Sequence, residues 1–275
     1  MITATLLCLM LALCTLAGRT YASSTVYRVG VVPQFEQRKL YRIWRPVLDR
    51  LEQQSGFKLV LVGTPKIPVF ESYLYSGKFD FVYLNPMHML NAHEKEGYQP
   101  ILNDGSRKLR GILVVHKSSG ISHPKQLNGR ELAMPASNAL GASMLLRAEL
   151  ERKFSVQVQP RYVRTHSSVY LHVAKQLVPG GGGVMRTLDM QESAVKNELQ
   201  VIHETGGIAP HPIAVHPRVA KPDREKFISA ILAMSTAAAD QALLARIPIN
   251  RIQKTAMSEY RTLSQLGLSE YYQAE

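Results

Sequence analysis

Small polar residues and glycine gather just before a predicted helix in the middle of the chain, at Ser137, Asn138, Ala139, Gly141 and Ser143. The first N–H groups of a helix have no intrahelical acceptor, and the helix dipole adds partial positive charge at that end. The segment therefore predicts a site for an anion such as a phosphate or a carboxylate. The alternative is an ordinary helix start without a ligand, since every helix begins with such groups.

A histidine opens the second candidate group, in which His166 is followed by Ser167 and Ser168 at another predicted helix start. Near neutral pH an imidazole can donate a hydrogen bond to an anion or take up a proton with it. The alternative is a surface residue next to the helix cap, because histidine alone is an ambiguous signal.

A cationic residue follows the glycine run at positions 180–183, where Arg186 precedes Thr187. The run lacks a following Lys-Ser or Lys-Thr pair and precedes a strand-like Val-Met, so it is not a phosphate-binding P-loop. The glycines instead indicate a close approach of the backbone to another segment. Arg186 either points its guanidinium into a cleft, where it suits an oxyanion or carboxylate, or lies on the solvent face.

The N-terminal half supplies a further group at predicted strand ends and helix starts, namely Phe35, Tyr83, Asn85 and His88. The two aromatic residues fit a hydrophobic core as well as a ligand platform, and the two polar ones can form half of a clamp. Thr64 and Lys66 have a similar but weaker claim.

Sequence signs of catalysis, metal binding and nucleic-acid binding are missing. There is no Gly-x-Ser-x-Gly elbow and no His-Glu-x-x-His, and the spacing of His88 and His93 does not put both on one helical face. The basic residues form no arginine-rich arm or RNP motif. We therefore expect a protein that is not an enzyme, has no metal or cofactor and binds no nucleic acid.

The element that positions these residues is best read from positions 72–92, SYLYSGKFDFVYLNPMHMLNA. Gly77 is suited to end one helix, the apolar run 79–84 to form a buried strand, and Asn85-Pro86 to cap and begin the next helix. Similar strand–helix units recur along the chain, which predicts an α/β protein with mixed, mostly parallel sheets flanked by helices. In such sheets ligands bind beyond the carboxyl ends of the strands.

Two lobes are expected from the length of 275 residues and from the order of the elements. The strand at 109–116 is expected to leave the first lobe, and a polar, Ser- and Gly-rich stretch follows it. We assign lobe 1 to residues 23–116 and 207–275 and lobe 2 to residues 117–206. Two crossings make a hinge, and the cleft between the lobes becomes a closable ligand site.

The first 22 residues resemble a secretory signal peptide, with an apolar run at 2–17 and a small residue at Ala22. Both cysteines, Cys8 and Cys14, lie inside it, so the exported protein would have no thiol. A lipoprotein is not expected, because Leu13 is bulky where lipoproteins need a small residue before the cysteine. The formal charge is +12, and loss of Arg19 with the signal leaves +11. This balance favours anionic ligands or anionic surfaces.

Several motifs occur in an order that is similar to a known family: YLYSGKFD at 73–80, LNP at 84–86, LNGRELA at 127–133, Gly141, HSSV at 166–169 and the closing Ala-rich helix. The chain resembles the PhnD-like periplasmic solute-binding proteins of phosphate, phosphite and phosphonate uptake, a branch of the type II periplasmic binding-protein fold. The similarity covers nearly all of the mature chain and implies a two-lobed protein with an interlobe cleft.

The resemblance carries over unevenly to single residues. His166 matches the family's ligand-contacting histidine. The family's phosphonate binders cradle the oxyanion with a Ser-Thr-Ser-Gly turn, whereas residues 138–141 read Asn-Ala-Leu-Gly. The family's aromatic after the Asn-Pro pair falls on Met89, and its acidic residue falls near Pro179. These departures imply a divergent subgroup whose ligand need not be a phosphonate.

The function implied is capture of a small anionic solute, an oxyanion or organic acid, in the periplasm. The expected partner is the permease of an ABC importer, and the binding protein itself is expected to be a monomer. Two alternatives remain open: a ligand-sensing subunit for a sensor-kinase ectodomain, and an exported enzyme on the same fold.

Overall fold

Two β-sheets form the framework of residues 24–272, the part of the chain that the computed structural model describes. One sheet contains β1 (Val26–Val31), β2 (Lys58–Val62), β3 (Phe81–Tyr83), β4 (Gln99–Asp104), β10 (Ile213–Val215) and β11 (Ile252–Lys254). The other contains β5 (Gly111–His116), β6 (Glu131–Met134), β7 (Gln159–Tyr162), β8 (Gly180–Val184) and β9 (Leu199–Glu204). The spatial orders are β11-β4-β10-β3-β1-β2 and β7-β6-β8-β5-β9.

Ten α-helices accompany these strands within the described residues. They are α1 (Gln37–Ser55), α2 (Ile67–Leu74), α3 (Pro86–Glu96), α4 (Leu146–Phe154), α5 (His166–Ala174), α6 (Met185–Asp189), α7 (Ser193–Lys196), α8 (Lys221–Thr236), α9 (Ala238–Leu244) and α10 (Ser258–Arg261). A π-helical turn, Leu140–Leu145, runs directly into α4. The predicted α/β class with two sheets and flanking helices is confirmed.

Both sheets are mixed, because the strands that carry the chain between them reverse direction. β1 pairs in parallel with β2 and β3, and β6 with β7 and β8. β10 and β11 pair antiparallel in the first sheet, and β5 pairs antiparallel with β8 and β9 in the second. Parallel pairs are thus fewer than the expected "mostly parallel" sheets would contain.

We associate one lobe with each sheet; the six-stranded sheet contains strands from both ends of the described chain, and the five-stranded sheet contains strands from its middle. The strand predicted at 109–116 was assigned to lobe 1, but β5 is hydrogen-bonded into the five-stranded sheet of lobe 2. The first crossing therefore lies before Gly111, and its Leu109 forms an antiparallel bridge with Ile208 of the return crossing. The remaining lobe boundaries stay a prediction.

The predicted strand–helix unit at 72–92 is present. Gly77 has a φ of +64° and follows α2, and the Asn85 side chain accepts a hydrogen bond from the His88 N–H at the start of α3. Pro86 occupies the first helical position, where no N–H is needed. The strand is shorter than the apolar run, since only Phe81–Tyr83 pairs with neighbours.

The glycine run forms the central strand of the second sheet, β8, rather than a loop before a strand. A Cβ on Gly182 would overlap the carbonyl oxygen of Ala142, and one on Gly111 would overlap that of Gly141. The π-helical turn therefore lies directly on the sheet backbone, which only glycine permits. The close approach that the sequence indicated is real, and it fixes the helix start at 139–141 against the sheet.

The C-terminal segment, residues 258–272, joins the two lobes. Tyr260 lies in lobe 1, where its hydroxyl accepts a hydrogen bond from Asn103. Further along, Arg147 and Arg152 on the lobe 2 side donate to backbone carbonyls of residues 266, 267 and 271. Leu263 and Leu268 pack in one cluster with Leu109 of the first crossing. After α10 this segment continues as two short 3₁₀ turns, Thr262–Leu266 and Ser269–Tyr271.

Residues 1–22, the predicted signal peptide, lie outside the described part of the chain. Within residues 24–272 no individual helix has the length and apolar composition to cross a membrane, and α8 and α9 meet those criteria only as a pair bent by 106°.

Candidate functional site

The candidate site lies between the lobes as a small enclosed cavity of about 20 Å³ at the start of the π-helical turn. Lobe 2 contributes Ala139, Leu140, Gly141, His166 and Val184, and lobe 1 contributes Val32, Gln34, Ile67 and Asn85, while His211 comes from the return crossing. Helix-start N–H groups and polar side chains from both lobes therefore converge on one point.

The backbone of the helix start supplies the donors. The first N–H groups of a helix lack an intrahelical acceptor, and residues 140–142 hold that position here. The N–H groups of Ser143 and Met144 already donate to the Ala139 carbonyl. Gly141 has no side chain to cover the start, and a Cβ there would press on Val184. The site can therefore bind an anion through backbone donors without the hydroxyls of a Ser-Thr-Ser turn.

Two histidines flank this helix start, His166, which is buried, and His211, which is half-buried. Burial lowers the pKa of His166 to about 3. Burial, with smaller contributions from His88 and His166, lowers the pKa of His211 to about 3 as well. Both rings are therefore neutral at pH 7 and each can donate one N–H to a guest. The His211 ring stacks on Tyr83 with centroids 5.3 Å apart, which fixes its orientation.

A buried polar network underlies the cavity and joins the lobes. The Glu71 carboxylate contacts His88 Nε2 at 3.0 Å and accepts from the Asn138 side chain at 3.3 Å. The Asn85 side chain donates to the Asn138 carbonyl oxygen at 3.3 Å. His88 is fully buried. The arrangement holds Asn138, and so the helix start behind it, at a fixed distance from lobe 1.

The lobes are in contact around the cavity, so this is a closed form. The His166 N–H donates to the Gln34 carbonyl at 3.1 Å, and Lys39 Nζ to the Met190 carbonyl at 2.9 Å. Arg186 Nη2 crosses the cleft to the carbonyls of Ala245 and Ile247, at 3.0 and 3.2 Å.

A larger cavity of about 270 Å³ adjoins the small one, because Gln34, Val184 and His211 line both. Its other charged or aromatic lining residues are Tyr83, Asp104, Arg107, Lys108, Arg110, Arg186 and Glu204. This space lies along the two crossings, where four cationic side chains face two carboxylates.

Comparison with known proteins identifies the family. A family model described as "ABC transporter, phosphonate, periplasmic substrate-binding protein" matches residues 29–260. This chain belongs to that family. Its members are substrate-binding proteins of ABC transporters, which take a small solute to a permease.

Solved structures share the fold of this binding protein. A binding-protein component of an ABC phosphonate transporter from Pseudomonas aeruginosa matches with a TM-score of 0.81 and 15% identity, over 89% of this chain and 86% of the other. PhnD1 from Prochlorococcus marinus, solved in complex with methylphosphonate, matches with a TM-score of 0.80 and 12% identity, over 88% and 97%. A Xanthomonas citri protein bound to ATP has a TM-score of 0.69 and 19% identity, over 90% and 98%. At these identities the likeness concerns the two-lobed fold.

Six of the sequence-predicted residues line the two cavities of this binding protein: Tyr83, Asn85, Ala139, Gly141, His166 and Arg186. Both interpretations of Arg186 were incomplete, since it lines the larger cavity while anchoring lobe 1. Asn138 and His88 lie behind the small cavity in the polar network. Ser137 is buried, and its carbonyl oxygen accepts a hydrogen bond from Arg147.

The other predicted residues play supporting parts. Thr187 bonds to the Tyr170 hydroxyl at 2.8 Å and reaches His166 Nδ1 at 3.4 Å. The hydroxyls of Ser143 and Ser167 are buried and lack a partner within residues 24–272. The Ser168 N–H donates to Thr165 at the cap of α5. Phe35 is a core residue with Lys39 Nζ over its ring, and it lines neither cavity.

Sequence reasoning missed Gln34, Glu71, His211 and the basic stretch at 107–110. His211 lies between two prolines just before β10. Because proline restricts the backbone, this pattern indicates a rigid segment leading into the strand. Gln34 follows Pro33 in the loop after β1, the same kind of position that made its neighbour Phe35 a candidate. The basic stretch has three cationic residues in four positions, which is too short a run to distinguish a ligand site from an ordinary exposed loop.

Proposed function

We propose that this protein is exported to the periplasm and captures a small solute with an oxyanion head group between its lobes, for delivery to the permease of an ABC importer. The carrying observation is the helix start at 139–141 facing His166, His211 and Asn85 in an enclosed interlobe cavity. Backbone N–H groups, neutral imidazoles and an amide all donate hydrogen bonds, and an oxyanion accepts them.

Charge supports an anion, since no carboxylate lines the small cavity. That cavity, of about 20 Å³, is the size of a water molecule in this closed form, so an oxyanion at the helix start extends into the adjoining larger cavity. The cationic crossings beside it add positive potential, which attracts anions to the cleft. Hydrogen bonds between the lobes define a closed conformation. A solute that contacts both lobes binds this conformation more tightly than an open one, so binding increases the fraction of closed protein.

The test is calorimetric titration of the chain from Ser23 onwards with phosphate, phosphite and methylphosphonate, with sodium chloride as a control for ionic strength. We expect saturable binding of at least one of these oxyanions. Replacing His166 by Ala removes a donor to the head group and should weaken binding by roughly ten- to a hundredfold, since hydrogen bonds to charged groups contribute about 1.5–3 kcal/mol.

The matched control is His172→Ala on the same helix, because His172 lines neither cavity and contacts the Ser168 carbonyl instead. It should bind as the wild type does. Absence of saturable binding with all three oxyanions would refute the proposed capture, and equal weakening in both variants would refute the role of His166. Release of the mature protein by osmotic shock of the cells tests the export.

The permease is the partner that the family implies. A sensor-kinase ectodomain as the partner and the monomeric state remain predictions from the sequence. Genes for a permease and an ATPase beside this one would favour uptake, and a kinase gene would favour sensing.

A further inference from the structure

The larger interlobe cavity is continuous with the proposed head-group site. Gln34, Val184 and His211 line both cavities, so a solute held at the helix start can extend past His211 into the larger space. Its volume of about 270 Å³ exceeds what is needed for the part of an oxyanion that extends past the small cavity at the helix start. The closed protein therefore has room for a second part of the guest.

The charge of this space is predominantly positive. Arg107, Lys108 and Arg110 line it from the first crossing, and Arg186 lines it from the start of α6. None of the four forms an ion pair within residues 24–272, where the salt bridges of lysine and arginine all involve other cations. The Nε atom of Arg186 is buried without a hydrogen-bond partner in the same part of the chain.

The two acidic lining residues do not balance these cations. Asp104 is engaged elsewhere, since its carboxylate accepts hydrogen bonds from Ser106 and from the N–H groups of Asn250 and Arg251. Burial opposes its ionisation, but these hydrogen bonds together hold the pKa of Asp104 below its usual value. Glu204 is exposed at the end of β9. An ammonium group on the guest would find no free buried carboxylate here.

We propose that the solute carries a second anionic group, a carboxylate or a second phosphoryl group, which the larger cavity binds through Arg186 and the basic stretch 107–110. This inference rests on the proposed function, because the first anionic group is the head group at the helix start. Because Arg186 Nη2 already donates to two carbonyls, its unpartnered Nε–H and the side chains of the basic stretch supply the charge-assisted hydrogen bonds to the carboxylate or phosphoryl oxygens. The guest class is thus a phosphonocarboxylate, a bisphosphonate or a phosphate ester of a hydroxy acid.

The experiment compares four probes by calorimetric titration of the mature chain: methylphosphonate, 2-aminoethylphosphonate, 3-phosphonopropionate and methylenediphosphonate. The first has no second charge, the second a positive one, and the last two separate a carboxylate from a phosphoryl group. We expect one of the doubly anionic probes to bind at least about tenfold tighter than methylphosphonate, as a charge-assisted hydrogen bond contributes. The aminoethyl probe should bind most weakly.

The variant Lys108→Gln/Arg110→Gln should remove most of this advantage and should weaken the binding of methylphosphonate much less than that of the doubly anionic probe, because neither residue lines the head-group cavity. Arg130→Gln, on an exposed position before β6, is the matched control and should keep the advantage. Raising the salt concentration should reduce the advantage, since these side chains are exposed to solvent.

Equal or tighter binding of methylphosphonate or the aminoethyl probe would overturn the second anionic group and leave oxyanion capture standing. An advantage that survives Lys108→Gln/Arg110→Gln would equally overturn the assignment to this cavity. No binding of any probe would overturn both this inference and the proposed function.

Discussion

Two histidines of the candidate site, the buried His166 and the half-buried His211, make the stability of the unliganded protein depend on pH. The pKa of both His166 and His211 is lowered to about 3 in the folded protein, against about 6.5 in the unfolded chain. Between these values the unfolded chain binds more protons, so the free energy of unfolding falls as the pH falls. The contribution is fully present above pH 6.5 and is lost below it.

The magnitude follows from linkage. Lowering the pH from 7.5 to 5.5 should remove about 1.4 kcal/mol of stability for each histidine, and about 2.7 kcal/mol for the pair. Asp104 and Glu149, whose pKa values are lowered, lose their contributions only at more acidic pH. His216, whose pKa burial also lowers, adds to the loss between pH 7.5 and 5.5 in any variant that keeps it, so a difference between variants is needed to isolate His166 and His211.

Urea unfolding at several pH values measures this loss, with the variant His166→Gln/His211→Gln beside the wild type. The variant should lose about 2.7 kcal/mol less over the same interval. His123→Gln, at an exposed position, is the control and should keep the wild-type dependence. Identical dependence in the wild type and the double variant would refute the reasoning. NMR of the imidazole nitrogens gives a second reading, since both rings should stay neutral at pH 5.

The remaining predictions concern packing, capping and ligand. Gly182→Ala should lower the free energy of unfolding by about 1–3 kcal/mol, because the added methyl group overlaps the Ala142 carbonyl. The control is Gly63→Ala, whose methyl group meets only the end of a flexible side chain. Equal urea midpoints for the two variants would contradict this prediction. Asn85→Ala should cost about 1 kcal/mol through loss of the bond to the His88 N–H, seen as a lower melting temperature. A bound oxyanion at a hundred times its Kd should add about 2.7 kcal/mol, and an unchanged melting curve would argue against binding.

Local sequence signals predicted the helices and strands around the site best at residues with a strong conformational preference, such as a capping asparagine or a proline in the first turn of a helix. Asn85 followed by Pro86 predicted the cap and first turn of α3. The split of lobe 1 between both ends of the chain followed from the order of strands and helices. These features depend on neighbours in sequence, which a sequence displays directly.

Features that depend on distant partners were beyond that reasoning. A strand of four glycines has poor intrinsic strand propensity and forms because the π-helical turn and α5 must lie on it. The assignment of β5 to lobe 2 depends on its pairing with β8 and β9, which no local pattern encodes. His211 reaches the site only because the return crossing brings it beside His166.

The C-terminal segment limits how this protein can open. Leu109 and Ile208 tie the two crossings together, and residues 258–272 form a third link that lies over them and grips both halves of the molecule. Because the three links are adjacent, we expect the lobes to separate by a hinge rotation about them, with little movement of residues 258–272. A sliding or twisting motion would break the hydrogen bonds from Arg152 to the carbonyl oxygens of Leu266 and Gly267. Residues 258–272 therefore act as part of the hinge, and closure brings the same two lobe surfaces onto the solute each time.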